Sequence, residues 1–139
     1  MDLGLKNKVA LVAAASRGLG RAVAEELATE GASLVICSRD TRTITQTASE
    51  IAEKSGAHVM AVAADVSVPA DVKRLVQSAI TRFGRVDILV TNGGGPPAGR
   101  FESLSEEQWE AAARLTLLSG ETVMTIVAIT SLTFIASSF

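Results

Sequence analysis

The eight residues from Ala13 to Gly20 have the composition of a phosphate-binding turn. They follow an apolar run, lead directly into a helical pattern, and include the two glycines Gly18 and Gly20. A dinucleotide pyrophosphate binds to backbone N–H groups at the start of a helix, where glycines leave room for it. Ser16 can add a hydroxyl donor, and Arg17 can reach a phosphate. The alternative is that the glycines merely form a tight turn between a strand and a helix.

A second group of interest is Ser38-Arg39, which follows the next apolar run. A site specific for NAD would place an acidic residue here to hold the ribose 2′-hydroxyl. Ser38 carries no charge that would repel a 2′-phosphate, and Arg39 can pair with one through two hydrogen bonds. We therefore predict that NADP(H) is preferred over NAD(H). The alternative is a solvated loop arginine, and the neighbouring Asp40 weakens the case for NADP(H).

The elements that would position these loops alternate along the chain. Nearly continuous apolar runs predict strands whose two faces are both covered, as in a parallel sheet: Val9–Ala14, Leu34–Cys37, Val59–Ala63, Val86–Val90 and Val123–Ile129. Apolar residues at three-and-four spacing predict the intervening helices: Gly18–Glu30, Thr41–Lys54, Pro69–Phe83 and one opening at Ser105 with a capping-box pattern. The fold class is therefore α/β, a three-layer Rossmann fold with a parallel sheet of about five strands. Residues 1–139 are predicted to form one domain of this kind.

The segment Val9–Ala24 resembles the opening of the short-chain dehydrogenase/reductase family. That family usually reads Thr-Gly-x-x-x-Gly-x-Gly here, whereas this chain has Ala13 and Ala14 at the Thr and first Gly positions. The extra methyl group of Ala14 costs little in ordinary backbone but about 1 kcal/mol or more at positive φ.

Two later loops are similar to the family at matching places. Asp65-Val66 resembles its pair beside the adenine ring, although Asp65 can also simply bond its own loop backbone. Thr91-Asn92-Gly93-Gly94 resembles its Asn-Asn-Ala-Gly, and it also reads as a plain loop. The resemblance implies the following cofactor contacts: Ala14, Ser16, Arg17, Gly18, Leu19, Gly20, Ser38, Arg39, Asp65, Val66, Asn92, Gly93 and Gly94.

By resemblance the activity is an NADP(H)-dependent interconversion of ketones and secondary alcohols, similar to bacterial 3-oxoacyl-carrier-protein reductases. Family catalysis uses a tyrosine, a lysine four residues later, a serine and an asparagine. Ser131 matches the serine and Thr116 falls at the asparagine position, but the chain has no tyrosine and no lysine after Lys73. We therefore expect a chain that is truncated before the later strands and helices and is inactive in hydride transfer. The alternative is a non-catalytic dinucleotide-binding or interaction fragment.

Composition excludes several other classes of protein. Thirteen basic and fifteen acidic residues form no basic stripe, so no nucleic-acid partner is predicted. The single cysteine, Cys37, excludes a disulfide framework and favours a buried thiol in a reducing compartment, so the predicted location is cytoplasmic. No metal site is predicted. His58 is predicted at the surface and Trp109 in core packing.

The last twenty residues, 120–139, form an atypical hydrophobic tail. No charge occurs from Thr122 to Phe139, yet frequent Ser and Thr favour a buried fifth strand at Val123–Ile129 over a membrane span. The alternative is a single apolar helix from Leu115 to Ile129, interrupted at Gly120. A fifth strand at the sheet edge would present apolar faces, so we predict self-association.

Overall fold

The computed structural model describes residues 3–93, 103–114 and 121–128 of the chain. Strands and helices alternate along it: β1 (Val9–Val12), α1 (Gly18–Thr29), β2 (Ser33–Ser38), α2 (Thr41–Ser55), β3 (Val59–Ala63), α3 (Pro69–Phe83), β4 (Ile88–Val90) and α4 (Glu106–Ala113). Residues 121–128 form a further helix, α5.

The four strands of the described chain form one parallel sheet in the order β3-β2-β1-β4. β1 lies inside the sheet, where Leu11 is in register with Val35 of β2 and Leu89 of β4. The chain moves outward from β1 through β2 and β3 and then returns to the other side of β1. In such sheets the crevice at the carboxyl ends of the strands, where this order reverses, is the usual place for a ligand.

Helices cover both faces of this sheet and complete a three-layer α/β fold. On one face, Ala24 of α1 and Ile44 and Ile51 of α2 pack against Leu34 and Ile36 of β2. On the other face, apolar residues of α3 and α5 pack against inward-facing residues of β1, β2 and β3. Strands buried on both faces explain why each apolar run is nearly continuous. The predicted α/β class and parallel sheet are confirmed.

The predicted fifth strand is wrong for the residues that the structure describes, because 121–128 are helical. Val123 is 1% exposed, and Ile126 and Val127 pack against the same apolar cluster, whereas Met124 is 61% exposed. Positions 123, 126 and 127 fall on one face of a helix, so packing against α3 and the sheet overrides the strand propensity of Val, Ile and Thr. The alternative of a helix agrees with α5, while residues 115–120 and 129–139 lie outside the description.

Helix α4 begins as expected but lies on the surface. Ser105 is its N-cap, and the reciprocal hydrogen bonds between Ser105 and Gln108 confirm the capping box. No residue of α4 is buried, and Trp109 is 47% exposed, so the prediction of core packing for Trp109 is wrong. Within the described ranges, none of the helices has both the length and the apolar character that crossing a bilayer requires.

Candidate functional site

The turn between β1 and α1 is held to the strands on both sides of β1. The Ala13 N–H donates to the Val90 carbonyl of β4, and the Ala15 N–H donates to the Cys37 carbonyl of β2, each at 3.0 Å. These bonds extend the sheet ladder past the end of β1. They place the turn directly above the carboxyl edge of the sheet.

Gly20 allows the turn to pack closely against the loop that follows β4. A Cβ at Gly20 would lie 2.5 Å from the Ala14 carbonyl oxygen and 2.7 Å from Asn92 Nδ2. Any side chain here would have to displace backbone, so the position requires glycine. Asn92 Nδ2 in turn donates to the Ala14 carbonyl at 3.5 Å, across 78 residues of sequence. The structure therefore brings together Ala14, Gly20 and Asn92, three of the residues predicted from sequence.

Two residues of the turn have left-handed backbone angles. Gly18 has φ of 59°, which costs glycine little, and Ala14 has φ of 49°. Of the two backbone conformations considered for Ala14 from the sequence, the structure therefore has the unfavourable one, positive φ, which costs alanine about 1 kcal/mol or more. Strained backbone of this kind is found mainly where surrounding contacts enforce it, often at ligand-binding loops.

The first turn of α1 has no side-chain partner for its backbone N–H groups. Arg17 is the N-cap in extended backbone, with no side-chain capping bond and no acidic residue in the first turn. By contrast, Asp40 caps α2, Ser105 caps α4, and α3 has Asp71 in its first turn. Among α1 to α4, α1 alone has neither device, although its exposed N-terminus carries the positive end of the helix dipole. This arrangement suits an external anion.

The loop after β2 leaves an arginine side chain exposed. Asp40 accepts hydrogen bonds from the backbone N–H and the hydroxyl of Thr43, each at 2.7 Å. The Thr43 hydroxyl first, and then the Thr43 N–H, lower the pKa of the Asp40 carboxyl. The Ser38 hydroxyl donates to the Asp40 carbonyl at 3.2 Å. Arg39 is exposed and has no ion-pair partner in the part of the chain that the structure describes.

The loop after β3 uses one oxygen of Asp65 for its own structure. Asp65 Oδ1 accepts from the Ser67 N–H at 2.9 Å and from the Ser67 hydroxyl at 2.6 Å. The Asp65 N–H donates to Asp71 Oδ2 at 2.9 Å, which fixes the loop to the start of α3. Asp65 therefore does bond its own loop, and only its second carboxylate oxygen is left for another partner. Val66, the next residue, packs partly against the core.

Of the other residues considered in the sequence analysis, some lie in the described ranges and some lie outside them. His58 is exposed just before β3, at the amino ends of the strands, whereas the turn lies at their carboxyl ends. Cys37 is buried in β2, and this burial raises the pKa of its thiol to about 11. Within the described ranges no group of His, Cys, Asp or Glu could hold a metal ion. Gly94, Thr116 and Ser131 lie outside the described residues.

Sequence reasoning missed one contact to the turn, which comes from Thr47 in α2. Its hydroxyl oxygen lies 3.3 Å from the Ser16 carbonyl oxygen, and the residue is 2% exposed. The signal in the sequence was a polar residue within an apolar stripe, since Ile44, Ala48 and Ile51 occupy the same helix face.

Comparison with known proteins gives a consistent result. The model of a family described as short chain dehydrogenase matches residues 8–132. Dehydrogenase/reductase SDR family member 4 of Caenorhabditis elegans is 34% identical over 116 residues, which are 83% of this chain and 45% of that protein.

Two solved structures have closely similar folds. L-sorbose reductase from Gluconobacter frateurii, complexed with NADPH and L-sorbose, has a TM-score of 0.89 at 32% identity, covering 94% of this chain and 50% of that one. An alcohol dehydrogenase from Thermococcus sibiricus, complexed with 5-hydroxy-NADP, has a TM-score of 0.83 at 33% identity, covering 90% and 53%. This chain thus spans about half the length of the relatives it matches.

Proposed function

The chain belongs to the short-chain dehydrogenase family, and on that premise we propose that it binds NADP(H) across the carboxyl edge of its sheet. The observation that carries this proposal is the first turn of α1, whose N–H groups have no capping side chain. The turn before it is fixed to β2, β4 and Asn92, which supports the proposal that these N–H groups are oriented for a pyrophosphate. When bound, the nicotinamide ring supplies the hydride or accepts it.

In this proposal, each of the loops predicted from the sequence binds a different part of the cofactor. The turn residues Ser16, Arg17, Gly18 and Leu19 would hold the pyrophosphate through backbone N–H groups, a hydroxyl and a positive charge. Ser38 and Arg39 would receive the adenosine ribose, and Asp65 and Val66 would border the adenine. Asn92 and Gly93 would lie toward the nicotinamide end. Each group follows the carboxyl end of a different strand, which supports their acting on one extended ligand.

The preference for NADP(H) over NAD(H) rests on the charges beside β2. A 2′-phosphate needs a cation and is repelled by a free carboxylate. Arg39 is exposed, while the carboxylate of Asp40 is engaged in capping α2. The two similar structures were solved as complexes with NADPH and with 5-hydroxy-NADP, which is consistent with this proposal.

Fluorescence titration of the purified chain with NADPH and with NADH tests this preference. We expect tighter binding of NADPH, and a loss of roughly ten- to a hundredfold in NADPH affinity in Arg39→Ala, the worth of a charged hydrogen bond. Arg82→Ala is the matched control, because it removes the same charge from the far end of α3 and should leave both affinities unchanged. Tighter NADH binding with no loss in Arg39→Ala would overturn the preference.

The substrate class is proposed from family membership. We propose a small molecule that carries a ketone or a secondary alcohol. Within that class a 3-oxoacyl substrate rests only on the likeness of Ala14 and of the loop after β4 to bacterial reductases. The cytoplasmic location likewise remains a prediction.

A second candidate function, a dinucleotide-binding or interaction fragment without catalysis, is favoured by one feature of the composition. The 139 residues include no tyrosine, the residue that serves as proton donor in this family's reaction. Without a tuned acid, hydride transfer would leave an unprotonated alkoxide. Assayed alone, the chain should therefore bind NADPH yet oxidise none of it in the presence of ketones. Turnover that survives Ser131→Ala would show that another mechanism operates.

A further inference from the structure

We infer that Thr47 is a positioning residue for the phosphate-binding turn. Its hydroxyl holds the Ser16 carbonyl, and this contact aims the Arg17 N–H at the pyrophosphate. The inference deepens the proposed function and rests on it, because it names a residue outside the turn that sets the affinity of the turn.

The location of Thr47 makes its hydroxyl unusual in the described chain. Thr47 is the one buried polar residue among those that the structure describes, and it lies within the apolar face of α2. Its Oγ1 lies 2.9 Å from the Thr43 carbonyl oxygen and 3.3 Å from the Ser16 carbonyl oxygen. The second contact joins residues 31 positions apart in sequence. Burying a hydroxyl is costly unless it is hydrogen-bonded, and the single proton of this hydroxyl is shared between the two carbonyls.

The Ser16 carbonyl depends on the Thr47 hydroxyl as a hydrogen-bond donor more than the Thr43 carbonyl does. Thr43 lies four residues before Thr47 in α2, and its carbonyl already accepts the backbone N–H of Thr47 in the helix ladder. Within the described residues, the Ser16 carbonyl accepts no hydrogen bond other than that from Thr47. Partly buried carbonyls are almost always paired, so the loss of this donor falls on Ser16.

Peptide geometry carries the contact from Ser16 to the ligand side of the turn. The described chain has no cis peptide bond, and in a planar trans peptide the C=O and the following N–H point in opposite directions. When Thr47 holds the Ser16 carbonyl against α2, the Arg17 N–H must therefore point away from α2. Arg17 is the N-cap of α1, so its N–H is one of the four at the start of the helix that have no acceptor within it, next to those of the first turn that are proposed to bind the pyrophosphate.

Two substitutions at Thr47 and one control separate positioning from a merely structural role. Thr47→Val keeps the shape and removes the hydroxyl, whereas Thr47→Ser keeps the hydroxyl and removes a methyl group. Thr45→Val makes the same chemical change on the exposed face of α2. For each protein we would measure the NADPH dissociation constant, the thermal midpoint, and the ¹⁵N resonance of the Arg17 amide without cofactor. That resonance responds to hydrogen bonding at the preceding carbonyl.

We expect Thr47→Val to weaken NADPH binding by roughly three- to tenfold, the worth of one hydrogen bond. Its Arg17 resonance should move, while its thermal midpoint should change little, because valine keeps the apolar packing and the released Ser16 carbonyl, which is only partly buried, can turn toward water. Thr47→Ser and Thr45→Val should keep both the affinity and the Arg17 resonance of the unaltered chain. Unchanged affinity and resonance in Thr47→Val would overturn the inference, as would affinity that falls only in step with the thermal midpoint.

Two other outcomes remain decisive. If Thr47→Val does not fold, Thr47→Ser decides, since a loss of affinity despite the retained hydroxyl would contradict the inference. If the unaltered chain binds no NADPH, the proposed function fails. The Arg17 resonance then decides separately whether Thr47 holds the turn.

Discussion

Ala14 combines a strained backbone with a position at the centre of the candidate site. Its φ of 49° is one of two positive values among the described non-glycine residues, and the other belongs to Asn7. Asparagine tolerates this conformation, whereas in alanine it brings the Cβ too close to the following carbonyl oxygen. The Ala14 carbonyl accepts from Asn92, and the adjacent Ala13 and Ala15 are tied to β4 and β2. These contacts hold Ala14 in a conformation that alanine does not favour.

Replacing Ala14 with glycine should therefore stabilise the chain. Relief of the left-handed strain contributes about 1–2 kcal/mol, and the greater freedom of glycine in the unfolded chain takes back about 0.4–1 kcal/mol. We expect Ala14→Gly to raise the free energy of unfolding by roughly 0.5–1 kcal/mol, measured by urea denaturation.

The matched control is Ala24→Gly, the same substitution inside α1 at a buried position. This change should lower the free energy of unfolding by about 1 kcal/mol or more, since glycine weakens a helix interior. If Ala14→Gly is destabilised as much as Ala24→Gly, the backbone of Ala14 is not strained.

At the scale of elements, the sequence predicted best where the apolar stripe was strongest. The predicted bounds of α3 (Pro69–Phe83) and β3 (Val59–Ala63) agree with the structure residue for residue. β4 was expected from Val86 but begins at Ile88, because element ends depend on which backbone groups find partners. Asp87 is one such partner, since its carboxylate accepts from the Val9 N–H where β1 begins.

Helix α5 is the element for which sequence reasoning failed. Val123, Ile126 and the threonines around them favour a strand when considered alone. Their actual environment is the apolar surface of α3 and the sheet, which a helix can cover with positions 123, 126 and 127. Local propensity cannot reveal this surface, because it is assembled from residues that lie far earlier in the chain, the nearest of them being Leu89 of β4.

Two adjacent substitutions in α5 test its docking. Val123→Ala removes buried methyl groups and should lower the free energy of unfolding by roughly 2 kcal/mol, counting transfer and cavity terms. Met124→Ala changes an exposed side chain in the same turn and should stay within about 0.5 kcal/mol of the unaltered chain. Chemical denaturation of both variants measures the difference. Equal effects of the two substitutions would contradict the helical packing. In a strand that is covered on both faces, the adjacent residues 123 and 124 would both be buried, and both substitutions would then be destabilising.

At the scale of the molecule, the sequence predicted the order of the candidate cofactor-binding loops along the chain but not the contacts between them. The turn and the loops at Ser38, Asp65 and Asn92 follow four successive strands, and parallel pairing alone brings those ends to one edge. The approach of Gly20 to Asn92 and that of Thr47 to Ser16 depend on side-chain geometry between distant segments. No local pattern in the sequence encodes such distances, because they arise only when the chain is folded.

The shape of the sheet also changes the reason for expecting self-association. The sequence predicts that the apolar edge belongs to a fifth strand, whereas in the described chain β4 is an outer strand of the sheet and β1 is its paired neighbour. Both faces of β4 contribute to the cores, with Leu89 on one side and Ile88 and Val90 on the other. An outer strand with two apolar faces readily pairs with another chain.

We therefore predict that the purified chain associates through the β4 edge at tens of micromolar, as measured by multi-angle light scattering across a dilution series. Met124→Lys provides the comparison, since it removes an exposed apolar side chain from α5 without touching the edge. Edge pairing relies on backbone groups, so association should persist in Met124→Lys and decline with dilution. A monodisperse monomer would contradict the prediction outright. Association abolished by Met124→Lys would instead move the contact from the sheet edge to the surface of α5, because a lysine there disrupts an apolar patch and leaves β4 unchanged.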